Sequence, residues 1–281
     1  VWTGSYVVGY LELTNLTVTL AMGLLSPRFK PLVLLPILFK PTRCFIALPS
    51  ISRQSNIINN LAMSSKSSSH NFAGSKGDKK DPLMPTMIVF DLDDCLWSPE
   101  MYTLHAKPSI PVKGDLYINP ERQESEREIG IVGMGVPRGP TVQLFDGARK
   151  ALREIALDPK YEGVIVAAAS SSEEPTYSHA CLEGIEVLPG LFMRDMFQYD
   201  QIGRTGSLTS RKTTHFRALH KESSVPYNEM LFFDDCNWGD HCADVTASFG
   251  VISQRTPAGM QLSEFHSGIE KYRKEVLSRN D

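Results

Sequence analysis

The stretch Met87-Ile88-Val89-Phe90-Asp91-Leu92-Asp93-Asp94-Cys95 decides the fold, because an apolar run passes directly into acids. This pattern is typical of a buried parallel strand, which delivers polar side chains to the carboxyl edge of an open α/β sheet. Asp91 and Asp93 lie two residues apart, so one carboxylate can attack phosphorus while the other handles the leaving-group proton. A carboxylate and a phosphate dianion repel each other, so this chemistry needs a divalent cation. The alternative is a strand that ends in a solvated acidic turn, because the motif is short.

Two further apolar runs also end in polar residues. Val164-Ile165-Val166 continues through alanines to Ser170-Ser171-Ser172, and Met230-Leu231-Phe232-Phe233 runs into Asp234-Asp235. If the three runs are neighbouring parallel strands, all three polar ends meet at one edge of the sheet. From Met84 onward, apolar runs alternate with amphipathic stretches. The sequence therefore predicts an α/β fold, a Rossmann-like parallel sheet with helices on both faces.

The remaining elements follow from the same alternation. Further strands are predicted at 196–199 and 249–252, and helices from Asp146, at 176–183, at 213–221 and at 262–277. Residues 98–145 are rich in Pro and Gly and cannot hold long helices. We predict that they form a small flap, a hairpin with an irregular extension, in place of a full cap domain.

Composition bounds the classes of protein that fit. The chain has 281 residues, 42% hydrophobic and 22% charged, which suits one soluble domain with an appendage. A net charge of −3 without a basic stripe gives no reason to expect a nucleic-acid partner. The five cysteines are an odd number without closely spaced pairs, so neither a disulfide framework nor a zinc site is indicated.

Residues 1–80 differ from the rest of the chain. Glu12 is the only acid before Asp78, and basic residues are scattered among Ser, Thr, Asn and apolar residues. This composition predicts a targeting peptide followed by a disordered linker, with residues 81–281 as the folded domain. Its apolar stretch at 31–39 is too short for a transmembrane helix. We expect import into a plastid or mitochondrion if the presequence is genuine, a cytoplasmic protein otherwise, and no membrane association of the mature domain.

Four segments together carry a resemblance to a known family. They are Val89-Phe90-Asp91-Leu92-Asp93 with Leu96-Trp97, Ala167-Ala168-Ala169-Ser170, Lys212-Thr213-Thr214-His215-Phe216, and Met230-Leu231-Phe232-Phe233-Asp234-Asp235. Their order and spacing resemble the haloacid dehalogenase (HAD) superfamily of phosphatases, and within it the eukaryotic magnesium-dependent phosphatase-1 family. The resemblance runs from about residue 84 to 272 and does not reach the N-terminal 80 residues.

The resemblance implies a division of catalytic work. Asp91 would be the nucleophile that forms an aspartyl-phosphate, and Asp93 would protonate the leaving group and then activate water. Ser170 would bind a phosphoryl oxygen, and Lys212 would neutralise the nucleophile and the transferring group. We expect Ser171 to face the substrate as well, although relatives usually carry Arg at this position.

The same resemblance implies a Mg²⁺ cofactor. Its ligands would be Asp91, the backbone carbonyl of Asp93, and Asp234 and Asp235, directly or through water. The implied activity is hydrolysis of a phosphomonoester, either a small phosphorylated metabolite such as a fructosamine phosphate or a phosphotyrosine in a protein. We expect a monomer. A catalytically inactive binding or regulatory module on the same fold is the alternative.

Taken singly, the residues also have structural interpretations. Ser170 alone would more often be a helix N-cap, Lys212 a solvated surface lysine, and Asp234-Asp235 a cap on the following turn. We expect His215 and His220, which lie at helical spacing beside apolar residues, to be structural or solvated. These interpretations predict different burial, so the structure can separate them.

Overall fold

The computed structural model describes residues 81–117 and 127–280. The strands are β1 Met87–Phe90, β2 Trp97–Ser98, β3 Ile110–Asp115, β4 Ile129–Gly135, β5 Thr141–Leu144, β6 Ile165–Ser170, β7 Glu186–Leu188, β8 Leu191–Phe192, β9 Phe197–Ile202, β10 Met230–Asp234 and β11 Ile252–Arg255. The helices are α1 Asp146–Leu157, α2 Pro175–Gly184, α3 Met193–Met196, α4 Lys212–Ser223, α5 His241–Phe249 and α6 Leu262–Asn280, with 3₁₀ turns at Met101–Thr103, Pro159–Tyr161 and Tyr227–Glu229.

The central sheet has five parallel strands in the order β11-β10-β1-β6-β9. Strand β1 lies in the middle, with Phe90 opposite Phe233 of β10 on one side and opposite Ala168 of β6 on the other. The three runs predicted to be neighbours are therefore adjacent, and their carboxyl ends lie at the same edge. This register brings the polar ends of all three strands together.

Helices cover both faces of the sheet, as the sequence predicts. Along β1 the side chains alternate: Ile88 and Phe90 pack into one hydrophobic cluster, and Met87 and Val89 into a second. The first cluster contains residues of α1, α2 and α6, and the second contains residues of α4 and α5. A strand buried on both faces must be apolar throughout, which explains the unbroken run at residues 87–90. The predicted Rossmann-like α/β class is confirmed.

The insert at residues 98–145 is more regular than predicted. Its described part forms a four-stranded antiparallel sheet in the order β2-β5-β4-β3, rather than a hairpin with an irregular extension. The glycines that suggested loops serve close packing instead. A Cβ on Gly133 would lie 2.5 Å from the Val142 carbonyl oxygen, and one on Gly130 would lie 2.5 Å from the Leu116 side chain. Glycine inside a strand marks such close approaches as well as turns.

Other predictions differ in detail or lie outside the described residues. The predicted strand at 196–199 corresponds to β9, but Met196 belongs to α3 and β9 extends to Ile202. The predicted strand at 249–252 is displaced, because Phe249 ends α5, Gly250 follows in a left-handed conformation, and β11 begins only at Ile252. The β7–β8 hairpin, α3 and α5 were not predicted. The targeting peptide and linker assigned to residues 1–80 lie outside the described residues and stay predictions. Within the two described ranges, no helix combines the length and apolar character needed to cross a bilayer.

We predict that Gly147→Ala destabilises the domain. Gly147 lies in the first turn of α1, where a Cβ would collide with the backbone of Met260 and Gln261. Alanine is the better helix former by about 1 kcal/mol, but overpacking against backbone costs about 1–3 kcal/mol and should win. The measurement is the urea midpoint of unfolding at constant m-value.

Gly135→Ala is the matched control. There the added Cβ would make ordinary contacts of 3.4 Å or more with Thr141 and Ile110. We expect its midpoint to stay close to the wild-type value. A Gly147→Ala protein as stable as the control would show that the contact between α1 and residues 260–262 relaxes without cost.

Candidate active site

The carboxyl edge of the central sheet carries a cluster of buried carboxylates. Asp91 follows β1 directly, Asp234 ends β10, and Asp235 follows it. The backbone N–H of Asp91 donates to the Phe233 carbonyl at 2.9 Å, which continues the strand pairing up to Asp91. Oxygen atoms of the three carboxylates all lie within 4.8 Å of one another. Three acids in this space repel each other unless cations offset their charge.

Lys212 supplies one of these cations from the first residue of α4. Its Nζ lies 2.5 Å from Asp91 Oδ1 and 3.3 Å from Asp234 Oδ2, and it donates to the Ala169 carbonyl at 2.7 Å. Lys212 is only 1% exposed, so its interpretation as a solvated surface lysine is wrong. Burial lowers the pKa of Lys212, but the charges of Asp91 and Asp234 outweigh it and hold the pKa above its usual value. The lysine is therefore a fixed charge beside the predicted nucleophile.

The cluster fits a hard divalent cation. One ammonium against three carboxylates leaves a deficit of positive charge, and the available donors are all carboxylate oxygens, the ligands that Mg²⁺ prefers. Burial, followed by the charges of Asp91 and Asp234, raises the pKa of Asp235 to about 7, and burial raises that of Asp234. A bound cation would relieve this repulsion. Asp91, Asp234 and Asp235 are thus placed as the sequence predicts for metal ligands.

Asp234 and Asp235 also shape the loop that follows them. Asp234 Oδ1 accepts from the Cys236 N–H at 2.8 Å, and Asp235 Oδ2 accepts from the Asn237 N–H at 2.9 Å. The turn-capping interpretation is therefore confirmed, and it is compatible with the metal-binding role, which stays a prediction. It accounts for one oxygen of each carboxylate. The capping bonds fix the orientation in which the two acids face the cluster.

Asp93 is held apart from the carboxylate cluster. Its Oδ1 accepts from Trp97 Nε1 at 2.8 Å, and its Oδ2 accepts from the Met101 N–H at 3.3 Å. Burial raises the pKa of Asp93 to about 6, partly opposed by the Trp97 hydrogen bond. Its side chain does not belong to the group of possible metal ligands in the described chain, which leaves its backbone carbonyl for that role, as predicted. A carboxyl group fixed in this way is suited to proton transfer.

The serines at the end of β6 lie at the same edge. Ser170 is buried at the strand end, and the N-cap of the next helix is Glu174, so Ser170 is not the N-cap. His215 is buried, and its Nε2 donates to the carbonyls of Ser170 and Gly203 at 3.0 Å each. The histidine is therefore structural, as expected, and it positions the strand end.

A cavity of about 250 Å³ opens above these groups. The predicted residues that line it are Asp91, Asp93, Ser170, Ser171 and Asp235. Lys212 and Asp234 do not line the cavity, but Lys212 contacts both Asp234 and Asp91, and Asp91 lines it. All predicted site residues therefore gather in one place, and their individual roles remain predictions.

Several residues on the cavity rim were not predicted from the sequence. They are Glu100, Tyr102, Ser172, Glu173, Arg204, Trp238 and His241. Arg204 lies beside Ser171: its Nε donates to the Ser171 carbonyl at 2.8 Å, and its Nη1 pairs with Glu173 at 2.6 Å. A guanidinium therefore stands next to Ser171, the position at which the resemblance implies an Arg, although it comes from a different loop. Distance along the chain hid this proximity.

Together, the parallel sheet, the acids after β1 and β10, the serine at the end of β6 and the lysine of α4 define a phosphatase of the HAD superfamily. The chain belongs to the Acid Phosphatase family, whose profile matches residues 83–275. The resemblance to phosphatases of the HAD superfamily, stated from the sequence, is thereby confirmed.

Curated relatives agree with this class. Human Magnesium-dependent phosphatase 1 is 28% identical over 191 residues, covering 68% of this chain and 89% of that protein. A HAD-like hydrolase superfamily protein of Schizosaccharomyces pombe is 24% identical over 151 residues, covering 54% of this chain and 76% of that protein.

Solved structures similar to this chain have lower sequence identity than the curated relatives. The N-terminal part of a Bacteroides fragilis protein, containing a phosphatase domain complexed with Mg, is 14% identical with a TM-score of 0.37, over 68% of this chain and 40% of that chain. A haloacid dehalogenase-like hydrolase of Streptococcus pneumoniae is 12% identical with a TM-score of 0.37, over 71% of this chain and 99% of that chain. The assignment of the fold class rests on the strand topology described above.

Proposed function

We propose that this chain is a Mg²⁺-dependent phosphatase that hydrolyses phosphomonoesters through an aspartyl-phosphate on Asp91. The observation that carries the proposal is the ion pair between Lys212 and Asp91 at the end of β1, with a second carboxyl group, Asp93, held two residues away. This arrangement supplies a nucleophile and a proton carrier in one cavity, with a fixed positive charge buried directly beside the nucleophile. A catalytically inactive binding module would not need all three.

The reaction follows from these positions. A carboxylate oxygen of Asp91 forms a bond to phosphorus while the bond between phosphorus and the leaving oxygen breaks, and Asp93 gives its proton to that oxygen. In the second step Asp93 takes a proton from water, which attacks phosphorus, and the bond to Asp91 breaks to release phosphate. Lys212 offsets the negative charge that gathers on the phosphoryl oxygens in both steps.

Mg²⁺ would be held by Asp91, Asp234, Asp235 and the backbone carbonyl of Asp93. When bound, it supplies the positive charge that offsets the repulsion between Asp91 and the phosphate dianion. The buried carboxylate set supports this assignment, as does the name of the human relative, Magnesium-dependent phosphatase 1. Asp91 can take part in both roles because a carboxylate has two oxygens.

The first test is hydrolysis of p-nitrophenyl phosphate by the full chain. We predict that EDTA abolishes turnover, that Mg²⁺ restores it and that Ca²⁺ does not. Ca²⁺ takes more oxygen ligands at longer distances, so it would draw both oxygens of Asp91 into coordination and leave none for attack. The measurement is the initial rate after metal removal and back-titration with each ion.

Two outcomes of this experiment would contradict the prediction. Activity that persists after complete metal removal would contradict the metal-dependent mechanism. Equal rates with Ca²⁺ and Mg²⁺ would show that Asp91 does not have to keep one oxygen free, and would count against the ligand set proposed here.

The substrate class is also a proposal. The insert is a small antiparallel sheet, and the cavity above the carboxylates opens at the surface. Such an opening admits a small phosphorylated metabolite, such as a phosphosugar of the fructosamine phosphate type, or a phosphotyrosine side chain presented by a protein. Comparing the specificity constants for a phosphotyrosine peptide and for sugar phosphates would separate the two.

A further inference from the structure

Two exposed aromatic side chains stand together on the rim of the active-site cavity. In the described residues, the exposed large hydrophobic side chains are Tyr102, Ile110, Ile129, Leu157, Trp238 and Leu277. Trp238 is 72% exposed and Tyr102 is 51% exposed, and both line the cavity that contains Asp91 and Asp93. The four aliphatic ones do not line it. Aromatic exposure is therefore concentrated at the site, where a ligand can cover it.

Glu100 holds this pair in place. The indole Nε1 of Trp238 donates to Glu100 Oε1 at 2.7 Å. The ring centroids of Tyr102 and Trp238 lie 6.1 Å apart at an interplanar angle of 80°, an edge-to-face contact. The Glu100 carboxylate also raises the pKa of the Tyr102 hydroxyl by hydrogen bonding and by its charge. The rings thus form a corner whose orientation is fixed before a ligand arrives.

The corner lies on the leaving-group side of the cavity. Asp93, which gives the leaving oxygen its proton, accepts a hydrogen bond from the backbone N–H of Met101, the residue before Tyr102. The 3₁₀ turn Met101–Thr103 therefore joins the proton donor to the aromatic rim. A leaving oxygen that reaches Asp93 brings the rest of its molecule to this turn. In the proposed mechanism the phosphoryl group would lie instead against Asp91, which pairs with Lys212.

The charges on the rim limit what the leaving group can carry. Glu100 and Glu173 both line the cavity, and the guanidinium of Arg204 is paired with Glu173 at 2.6 Å. Because Arg204 offsets the charge of Glu173, the charge of Glu100 leaves the rim net negative. A second anionic group on the substrate would be repelled, whereas hydroxyl groups could donate to the carboxylates.

We propose that Tyr102 and Trp238, fixed by Glu100, form a leaving-group subsite that binds an uncharged ring, the apolar face of a sugar or an aryl group. The inference rests on the proposed phosphatase function and deepens it, because it names the residues that select the substrate. It also states the class: a phosphomonoester whose leaving group carries a ring and no second negative charge.

The test compares glucose 6-phosphate with glycerol 3-phosphate, which have chemically similar alkyl leaving oxygens but differ in the ring. We expect Trp238→Ala to raise KM for glucose 6-phosphate by about tenfold, the loss of one good stacking contact. KM for glycerol 3-phosphate, which has no ring, should change by less than about twofold. The kcat for either substrate should change little, because the subsite binds the ring equally in the ground state and in the transition state. Phenyl phosphate provides the aryl arm.

Two variants keep the result interpretable. Trp238→Phe retains an aromatic ring but removes the N–H that donates to Glu100, so we expect its KM for glucose 6-phosphate to lie between those of wild type and Trp238→Ala. Leu157→Ala removes an exposed apolar side chain that does not line the cavity and should leave both substrates unaffected. An equal loss for the ring-bearing and ringless esters in Trp238→Ala, or no loss for either, would overturn the subsite.

A binding measurement separates this inference from the proposed function. Calorimetric titration of glucose 6-phosphate and of phenyl phosphate into Asp91→Asn with Mg²⁺ does not depend on turnover. We expect the added Trp238→Ala to weaken whichever ring-bearing ligand the subsite takes, with glycerol 3-phosphate unaffected. If wild type hydrolysed none of the esters but this selective weakening persisted, the mechanism would fail while the subsite stood. If hydrolysis proceeded and the ligands bound alike in both variants, only the subsite would fail.

Discussion

Asp91→Asn is expected to abolish turnover while the domain stays folded. The amide keeps the shape of the side chain but has no anionic oxygen to attack phosphorus, so the rate should fall by at least about 10⁴-fold, as when other catalytic nucleophiles are removed. The change also removes one of three crowded carboxylates, which lessens repulsion from Asp234 and Asp235 and partly offsets the weakened contact with Lys212. Initial rates and the thermal midpoint, measured on the same preparation, check both statements.

Asp94→Asn is the matched control for this prediction. Asp94 lies three residues further on and adopts a left-handed backbone with φ of 54°, a conformation that asparagine tolerates well. Its side chain does not line the cavity, so we expect activity within about threefold of wild type, typical of a change outside the chemistry. Should Asp91→Asn retain more than about a tenth of the wild-type rate, an aspartyl-phosphate on this residue would be untenable.

The part of the site built by the central sheet could be predicted from the sequence. Residues 87–90, 165–169 and 230–233 belong to strands covered on both faces, so each is an unbroken apolar run whose end is easy to see. Polar side chains that follow such runs must gather at one edge, whatever the lengths of the connections. Lys212 was found through the resemblance alone, since nothing in its local pattern distinguishes a buried lysine from a surface one.

The rim of the site could not be predicted in the same way. Trp238 meets Glu100 across 138 residues of chain, and Arg204 meets Glu173 across 31. Such contacts depend on how loops of different strands lie against each other, and no periodicity records them. A weaker signal existed for α5: Asp240 N-caps it through the Ala243 N–H, and Gly250 ends it at a φ of 72°. These capping residues are visible in the sequence and would have indicated the helix.

The second large effect is expected from Asp93→Asn, and it should depend on the leaving group. The amide oxygen can still accept from Trp97 Nε1, but the NH₂ group cannot accept from the Met101 N–H, so this variant loses the longer of the two hydrogen bonds. The amide also cannot carry the proton. Loss of a general acid–base costs about 10²–10⁴-fold in rate. With an alkyl phosphate such as glycerol 3-phosphate, formation of the aspartyl-phosphate needs that proton and becomes slow. With p-nitrophenyl phosphate the leaving phenolate is stable without protonation, so this step stays fast.

The two substrates should therefore give different time courses in this variant. With p-nitrophenyl phosphate, we expect a burst of nitrophenol equal to the enzyme concentration, followed by slow turnover, because Asp93 is still needed to activate the water that releases phosphate from Asp91. With the alkyl ester no burst should appear, since the first step limits the rate. Asp94→Asn should show steady turnover with both. If rapid-quench experiments on Asp93→Asn showed no burst, and its steady-state rate had fallen equally for both esters, Asp93 would not act on the covalent intermediate. The activation of water would then have to be assigned to another group.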